Sequence, residues 1–202
     1  MYHNQPWLPY LVTDYIKQLK PQRVFEWGSG ESTLFFASMG VYLASVEHDE
    51  NWYNDVKAVL PIQYHTGYHL VPYEQDSLGS DKANPSHYKS GSTQLGDVNF
   101  KRYAGYIDKY NFVPGHGKFD LILIDGMARA SCLAHAISHV AEGGCIVLDN
   151  TGDRPYYLEQ TAHLFGNYES GWERVTFMGY GPILDYKWET TIFINKRKRD
   201  YE

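Results

Sequence analysis

Hydrophobic positions along the chain fall into two alternating rhythms. Leu8, Leu11, Val12, Tyr15, Ile16 and Leu19 recur at helical spacing, which predicts an amphipathic leading helix within residues 1–20, ended by Pro21. Val24 to Trp27 then reads as a short apolar strand. It runs into Gly28-Ser29-Gly30 and Glu31-Ser32-Thr33, followed by a helical stretch from Leu34 to Met39 that Gly40 stops. The same alternation continues with a strand at 42–46, a helix at about 50–60 closed by Pro61, and a third strand at 68–73 weakened by Pro72. Phe119 to Ile124 is almost continuously aliphatic, as expected of a central strand buried on both faces. A helix at 130–141, a buried strand at 145–148 and a helix at 155–165 follow. Two last strands, 174–178 and 190–195, have no helix between them.

Repeated strand–helix alternation implies a parallel sheet with helices on both faces. The final strand pair fits an antiparallel addition. The predicted fold is therefore α/β and doubly wound: a mostly parallel seven-stranded sheet with an antiparallel C-terminal pair, in one domain spanning 1–202. Residues 78–117 break the rhythm. Their first half is polar and rich in Gly, Ser, Asn and Pro, and their second half regains helical spacing through Phe100, Tyr103, Ile107 and Tyr110. Long interruptions of this kind are functional or disordered, and an insertion or lid facing substrate is the expectation.

Polar residues gather where the parallel strands end: Glu26, Glu47-His48, Asp76-Ser77, Asp125 and Asp149-Asn150. In an open α/β sheet the ligand crevice lies at those ends. Glycines at 28 and 30 let the backbone approach a ligand, and the first N–H groups of the next helix are free to meet it.

Composition narrows the partners. The net charge of −6 disfavours a nucleic-acid binder working through a general basic field. The one dense basic run lies in the tail, 196–202, and reads as solvated. Cys132 and Cys145 sit in apolar contexts and give no disulfide framework, and no apolar run reaches membrane-spanning length. A cytoplasmic protein acting on a small-molecule substrate is the expectation; the oligomeric state is open.

On these residues the chain resembles the class I S-adenosylmethionine-dependent methyltransferases over about residues 20–195, with their Rossmann-like fold. Glu26-Trp27-Gly28-Ser29-Gly30 matches the family's first motif. The resemblance implies S-adenosylmethionine as cofactor, with Glu26 near its amino-acid part and Glu47 on the ribose hydroxyls. Asp76 and Ser77 would lie near adenine, and Gly28, Ser29, Gly30, Ser32, Thr33, His48 and Asp125 would form the rest of the binding surface. Glu31 departs from the family pattern and is expected to point outward as a helix cap. Thr33 stands where a nicotinamide-binding turn wants Gly or Ala, which disfavours the dehydrogenase alternative.

A narrower resemblance is to cation-dependent O-methyltransferases of the catechol and caffeoyl type. It implies Asp125, Asp149 and Asn150 as ligands of Mg²⁺ or another divalent cation, orienting an acceptor hydroxyl. The alternative is that these residues cap helices and orient loops. Ala128 replaces the lysine that those enzymes use as a base. Arg129, one residue later, stays protonated and is assigned with Asp125 to the catalytic set, as a holder of an anionic substrate group. The turn 125–128 is not the Asn- or Asp-Pro-Pro-aromatic turn of base methylation. The expected activity is methyl transfer to a small molecule, at a hydroxyl oxygen. The alternatives are metal-independent methylation of another group, or a non-catalytic nucleotide-binding domain. Tyr103, Tyr106 and Tyr110 are candidate cleft aromatics, and His87 and His116 candidate bases. His135 and His139, at i and i+4, read as packing or surface histidines.

Overall fold

The computed structural model describes residues 5–75, 78–90, 95, 98–112, 117–166 and 171–196. Strands β1 (Arg23–Trp27), β2 (Tyr42–Glu47) and β3 (Tyr68–Leu70) come first, and β4 (Glu74–Gln75) and β5 (Val98–Asn99) form a small separate ladder. β6 (Phe119–Ile124), β7 (Val140–Asp149), β8 (Trp172–Gly179) and β9 (Trp188–Asn195) complete the set. The main sheet has seven strands in the order β3-β2-β1-β6-β7-β9-β8. β3, β2, β1, β6 and β7 run parallel, and β9 pairs antiparallel with both β7 and β8. This is the predicted doubly wound sheet with its antiparallel closing pair.

Helices α1 (Tyr10–Leu19) and α2 (Glu31–Ser38) cover one face, closing Leu8, Val12, Ile16, Phe35 and Phe36 over Leu121, Leu123, Cys145 and Val147. α3 (Glu50–Val59) packs Val56 with Leu34, Ala37 and Tyr68 beside it. α4 (Lys101–Ala104), the 3-10 turn Gly105–Phe112, α5 (Arg129–Ala136) and α6 (Tyr156–Thr161) lie on the other face. β6 shows why the aliphatic strands dominate: Leu121, Ile122, Leu123 and Ile124 are fully buried. Each such side chain contributes about 1.5–3 kcal/mol of transfer free energy.

Three local differences have physical causes. α1 starts two residues after Leu8 because Pro9 caps it, and it ends where Lys20 turns left-handed (φ 50°) and donates its N–H to Ile16 O. α5 stops at Ala136, not at 141. Residues from Val140 already belong to β7, through a register break against Phe119 and Leu121 that Gly143 (φ 79°) accommodates. β3 ends at Leu70, ahead of Pro72.

The expected insertion at 78–117 divides in two. In its second half Phe100, Tyr103, Ala104 and Ile107 are fully buried in the same cluster as Phe25 and Trp27. The Trp27 indole N–H donates to Tyr103 O at 2.9 Å. Residues 98–112 are thus the layer that covers the sheet between β3 and β6, not a flap over the crevice. Asp108 latches this layer to α5: His135 Nδ1 lies 2.8 Å from its Oδ2 and His139 Nε2 3.6 Å from its Oδ1. The two histidines pack there, away from the strand ends, and His139 lies past the end of α5. No helix among the described residues is long and apolar enough to cross a membrane.

Candidate functional site

A crevice of about 770 Å³ opens at the C-terminal ends of β1, β2 and β6. Its wall runs from Gly28-Ser29-Gly30, Glu31 and Ser32 past Glu47, His48 and Asp49 to Asp125, Gly126 and Arg129. That volume lies within the usual range for small-molecule sites. Backbone approach sets its floor. Gly28 has φ 87°, and a Cβ there would meet Gly126 N at 2.6 Å and Gly126 Cα at 2.7 Å, so the two turns touch main chain to main chain.

Thr33 explains why the turn does not follow a nicotinamide pattern. Its hydroxyl accepts the Gly30 N–H at 2.9 Å and donates to Glu26 Oε2 at 2.6 Å. Ser45 donates to the same oxygen at 2.6 Å. Glu26 is fully buried, and its Oε1 has no hydrogen-bond partner. Burial pushes its carboxyl up to about 7, against the hydroxyls of Ser32, Ser45 and Thr33 and with the repulsion of Glu47. Glu31 does not point outward: it is largely buried and faces the crevice.

Glu47, expected on the ribose hydroxyls, lines the crevice and is also tied into the protein by its own neighbours. Its Oε1 accepts the N–H groups of His48 (2.7 Å) and Asp49 (2.9 Å), and Oε2 accepts the N–H and hydroxyl of Ser29, both at 3.0 Å. His48 Nδ1 also lies 2.7 Å from Oε1. Three N–H groups and one hydroxyl thus make four hydrogen bonds to this carboxylate, about as many as its acceptor sites. Burial opposes its ionisation, but His48 and the Asp49 and Ser29 amides outweigh that and hold it below its usual range. Glu47 therefore ties the end of β2 to the glycine turn. Asp49, two residues on, caps α3 through Oδ1 at Trp52 N (2.9 Å) and itself borders the crevice.

Asp125, Asp149 and Asn150 do come together, but around Arg129. The guanidinium donates from Nε to Gly126 O (3.0 Å), from Nη1 to Asp149 O (2.6 Å) and Asn150 Oδ1 (3.1 Å), and from Nη2 to Asp125 O (3.0 Å). Nη2 also lies 3.0 Å from Asp125 Oδ1, and Nη1 4.0 Å from Asp149 Oδ2. Asp149 Oδ1 accepts from the Trp188 indole at 3.1 Å and from the Thr190 hydroxyl. Two left-handed residues, Ala128 (φ 48°) and Asn150 (φ 58°), flank these contacts.

These oxygens do not fit a divalent cation, because a permanent cation already sits among them. No group of three or more His, Cys, Asp or Glu residues suited to a metal exists among the described residues. Four hydrogen bonds and two ion pairs thus turn the Arg129 guanidinium inward onto the protein's own acceptors, in place of the substrate anion expected for it. Asp125 keeps a quarter of its side chain exposed toward the crevice, whereas Asp149 is buried. Burial and the neighbouring Asp149 raise the carboxyl of Asp125, while Arg129 works against that rise.

Several expected participants lie elsewhere. Tyr103 is in the core beneath Gly126, Tyr110 packs on Phe25 and Phe119, and Tyr106 borders a different groove. His87 packs against Gly79 and accepts the Asp81 N–H. Asp76, Ser77 and His116 lie outside the described residues. Conversely, Trp7, Trp52, Met127, Arg154 and Tyr157 line the crevice without having been singled out. The Trp52 indole N–H donates to Ser29 O at 2.7 Å, and the Trp7 and Trp52 rings lie 6.3 Å apart. An indole at the start of α3, opposite a glycine turn, was the available signal for Trp52.

No family model matches the sequence, and no curated protein matches it. Solved structures do. One is an O-methyltransferase, TomG, from Streptomyces achromogenes in complex with SAM, 12% identical, with 93% of this chain and 78% of that chain covered and a TM-score of 0.59. Another is an O-methyltransferase from Bacillus cereus in complex with SAH, 10% identical, covering 92% and 79% with a TM-score of 0.58. A methyltransferase-like protein from Silicibacter pomeroyi is 18% identical over 96% and 91%, with a TM-score of 0.53. The strand order, the antiparallel closing pair and these superpositions agree: the chain has the class I methyltransferase fold.

Proposed function

We propose that the chain is an S-adenosylmethionine-dependent methyltransferase acting on a small molecule, with a hydroxyl oxygen as the nucleophile. One observation carries this reading: the crevice has the glycine turn on one side and a carboxylate, Asp125, facing it from the end of the neighbouring strand β6. The bound cofactor would supply an electrophilic methyl group on a sulfonium. Its size suits the crevice, and its cationic end suits a pocket bordered by Glu31, Asp49 and Asp125 above the unpartnered Oε1 of Glu26. The O-methyltransferases from S. achromogenes and B. cereus are in complex with SAM and SAH, respectively.

The roles of the chain's own residues follow from their partners. Gly28-Ser29-Gly30 presents the backbone, held by Glu47 and Trp52. Asp125 takes the proton of the acceptor hydroxyl: burial makes it a stronger base than a solvated carboxylate, and Arg129 holds Oδ1. Arg129 supplies the positive charge that fixes Asp125 and Asp149, so no step here calls on a divalent cation. Alignment of nucleophile and methyl group can account for much of the acceleration.

Calorimetry with S-adenosylhomocysteine tests the cofactor assignment. Saturable micromolar binding with one site is expected, retained in Asp125→Asn. Absence of both heat and thermal shift at millimolar ligand would sink the proposal.

A further inference from the structure

Two arginines reach the crevice, and they differ in what is left for a ligand. Arg129 is held by four hydrogen bonds and two ion pairs within the protein. Arg154 is not. It lies in the turn between β7 and α6, immediately before Pro155, half-buried on the crevice wall beside Tyr157. Its side chain makes one hydrogen bond among the described residues, from Nη1 to Asn150 Oδ1 at 3.5 Å, the outer margin of such a bond. That oxygen is already engaged by Arg129 at 3.1 Å. No carboxylate of the described residues forms an ion pair with Arg154, although Asp125 and Asp149 both pair with Arg129 nearby.

A half-buried guanidinium on a cavity wall, in a turn before a proline and with a single marginal hydrogen bond, is suited to bind an anion. The planar fork favours a carboxylate or phosphate, which it can meet with two parallel hydrogen bonds. The acids at the glycine-turn end, Glu31, Glu47 and Asp49, favour a cationic ligand end there, so the crevice is polarised along its length.

We propose that the methyl acceptor carries an oxyanion, a carboxylate or a phosphate, and that Arg154 binds it. This rests on the methyl-transfer reading above. It assigns Arg154 to acceptor recognition and Asp125 to the acceptor hydroxyl.

The smallest probe, inorganic phosphate, avoids any assumption about the acceptor's skeleton. Phosphorus NMR line broadening is followed as phosphate is titrated against the protein saturated with S-adenosylhomocysteine. Millimolar binding is expected, about tenfold weaker in Arg154→Gln and intermediate in Arg154→Lys, which keeps the charge but loses the fork. Lys109→Gln, in the separate basic groove beside β3, is expected to leave the titration unchanged. Displacement of phosphate by acetate at equal concentration assigns a carboxylate-bearing acceptor, and retention of phosphate assigns a phosphate-bearing one.

Phosphate binding that is absent, or that survives Arg154→Gln but not Lys109→Gln, overturns the proposal. So does an Arg154→Gln protein that loses affinity for S-adenosylhomocysteine, since Arg154 would then hold the cofactor's carboxylate. If Arg154→Gln does not fold, Arg154→Lys decides: unaltered phosphate affinity refutes the fork. Failure of the wild type to bind S-adenosylhomocysteine is a separate result that removes the cofactor reading itself, and the acceptor proposal with it.

Discussion

Replacing Arg129 with alanine is the sharpest perturbation this site offers. The substitution removes a guanidinium that makes four hydrogen bonds and leaves Asp149 buried, at 4% side-chain exposure, and Asp125 at 24%. It also strips partners from the carbonyls of Gly126, Asp125 and Asp149. Breaking a buried ion pair by deleting one partner costs about 3–5 kcal/mol, because the remaining charge keeps its desolvation penalty. Partial exposure of Asp125 favours the lower half of that range. A loss of about 3 kcal/mol at neutral pH is therefore expected in chemical denaturation.

The pH dependence carries more information than the magnitude. Without Arg129 both carboxyls have folded-state pKa values raised by burial and by each other. Groups raised in this way favour the fold when protonated and disfavour it as pH rises through their folded values. The gap between variant and wild type should thus keep a pH-independent part from the three carbonyls and widen as pH rises past about 8, the value to which burial already raises Asp125 beside Arg129. Millimolar Mg²⁺ or Mn²⁺ should recover part of the lost melting temperature in Arg129→Ala, since three oxygen-bearing side chains lose their internal cation, and should leave the wild type unmoved. A destabilisation below about 1 kcal/mol, or equal stabilisation of both proteins by the cations, refutes the assignment of Arg129 as the built-in counter-charge.

Other expectations follow from single contacts. Glu26→Gln should make the ligand-free protein more stable at about pH 8 by up to about 3 kcal/mol, because the wild-type carboxyl, raised from 4.5 to about 7 by burial, destabilises the fold as it ionises; paired denaturation curves at acid and alkaline pH check this. The same variant should lose affinity for S-adenosylhomocysteine by calorimetry. Gly28→Ala should cost about 2 kcal/mol or more, since its Cβ meets main-chain atoms at 2.6–2.8 Å that cannot move independently; thermal melting reads this out. Trp52→Phe should lose about 1 kcal/mol with the bond to Ser29 O and weaken cofactor-product binding, measured by denaturation and calorimetry.

What the sequence made legible depends on how local the cause is. Phe119 to Ile124 announces a central strand because nearly every side chain in it needs burial, whatever surrounds it. The lone strand pair at the C-terminus is legible by the absence of a helix between two apolar runs. The end of α5 was not, because Glu142-Gly143-Gly144 punctuates a strand entry as well as a helix exit, and only pairing with Phe119 decides. Helical spacing at Phe100, Tyr103 and Ile107 was visible, but whether that face meets the crevice or the core is set by Phe25 and Trp27, far away in the chain. At the site the residue types were readable and their directions were not. Glu47 turns inward because His48, Asp49 and Ser29 all present donors to it. Arg129 closes on four hydrogen-bond acceptors beside Ala128 and Asn150, whose left-handed conformations no spacing rule foretells.

These directions explain how one crevice holds so many carboxylates. Glu26 is fixed through Thr33 and Ser45, Glu47 through Ser29 and its own following amides, and Asp149 through Thr190, Trp188 and Arg129. Each is held by donors of the chain, so the charge is arranged before any ligand arrives and little reorganisation is left for binding. The side chains that keep unused valence toward the cavity are fewer, and they divide by sign. Asp125 offers an acceptor beside the neutralised pair, and Arg154 offers donors beyond it. A nucleophile presented by an anionic molecule would be gripped by one and deprotonated by the other. Substitutions at the two should therefore separate kinetically: Arg154→Gln should raise KM with kcat largely kept, and Asp125→Asn should lower kcat with KM largely kept. Equal effects of both on kcat alone would deny Arg154 a part in ground-state recognition.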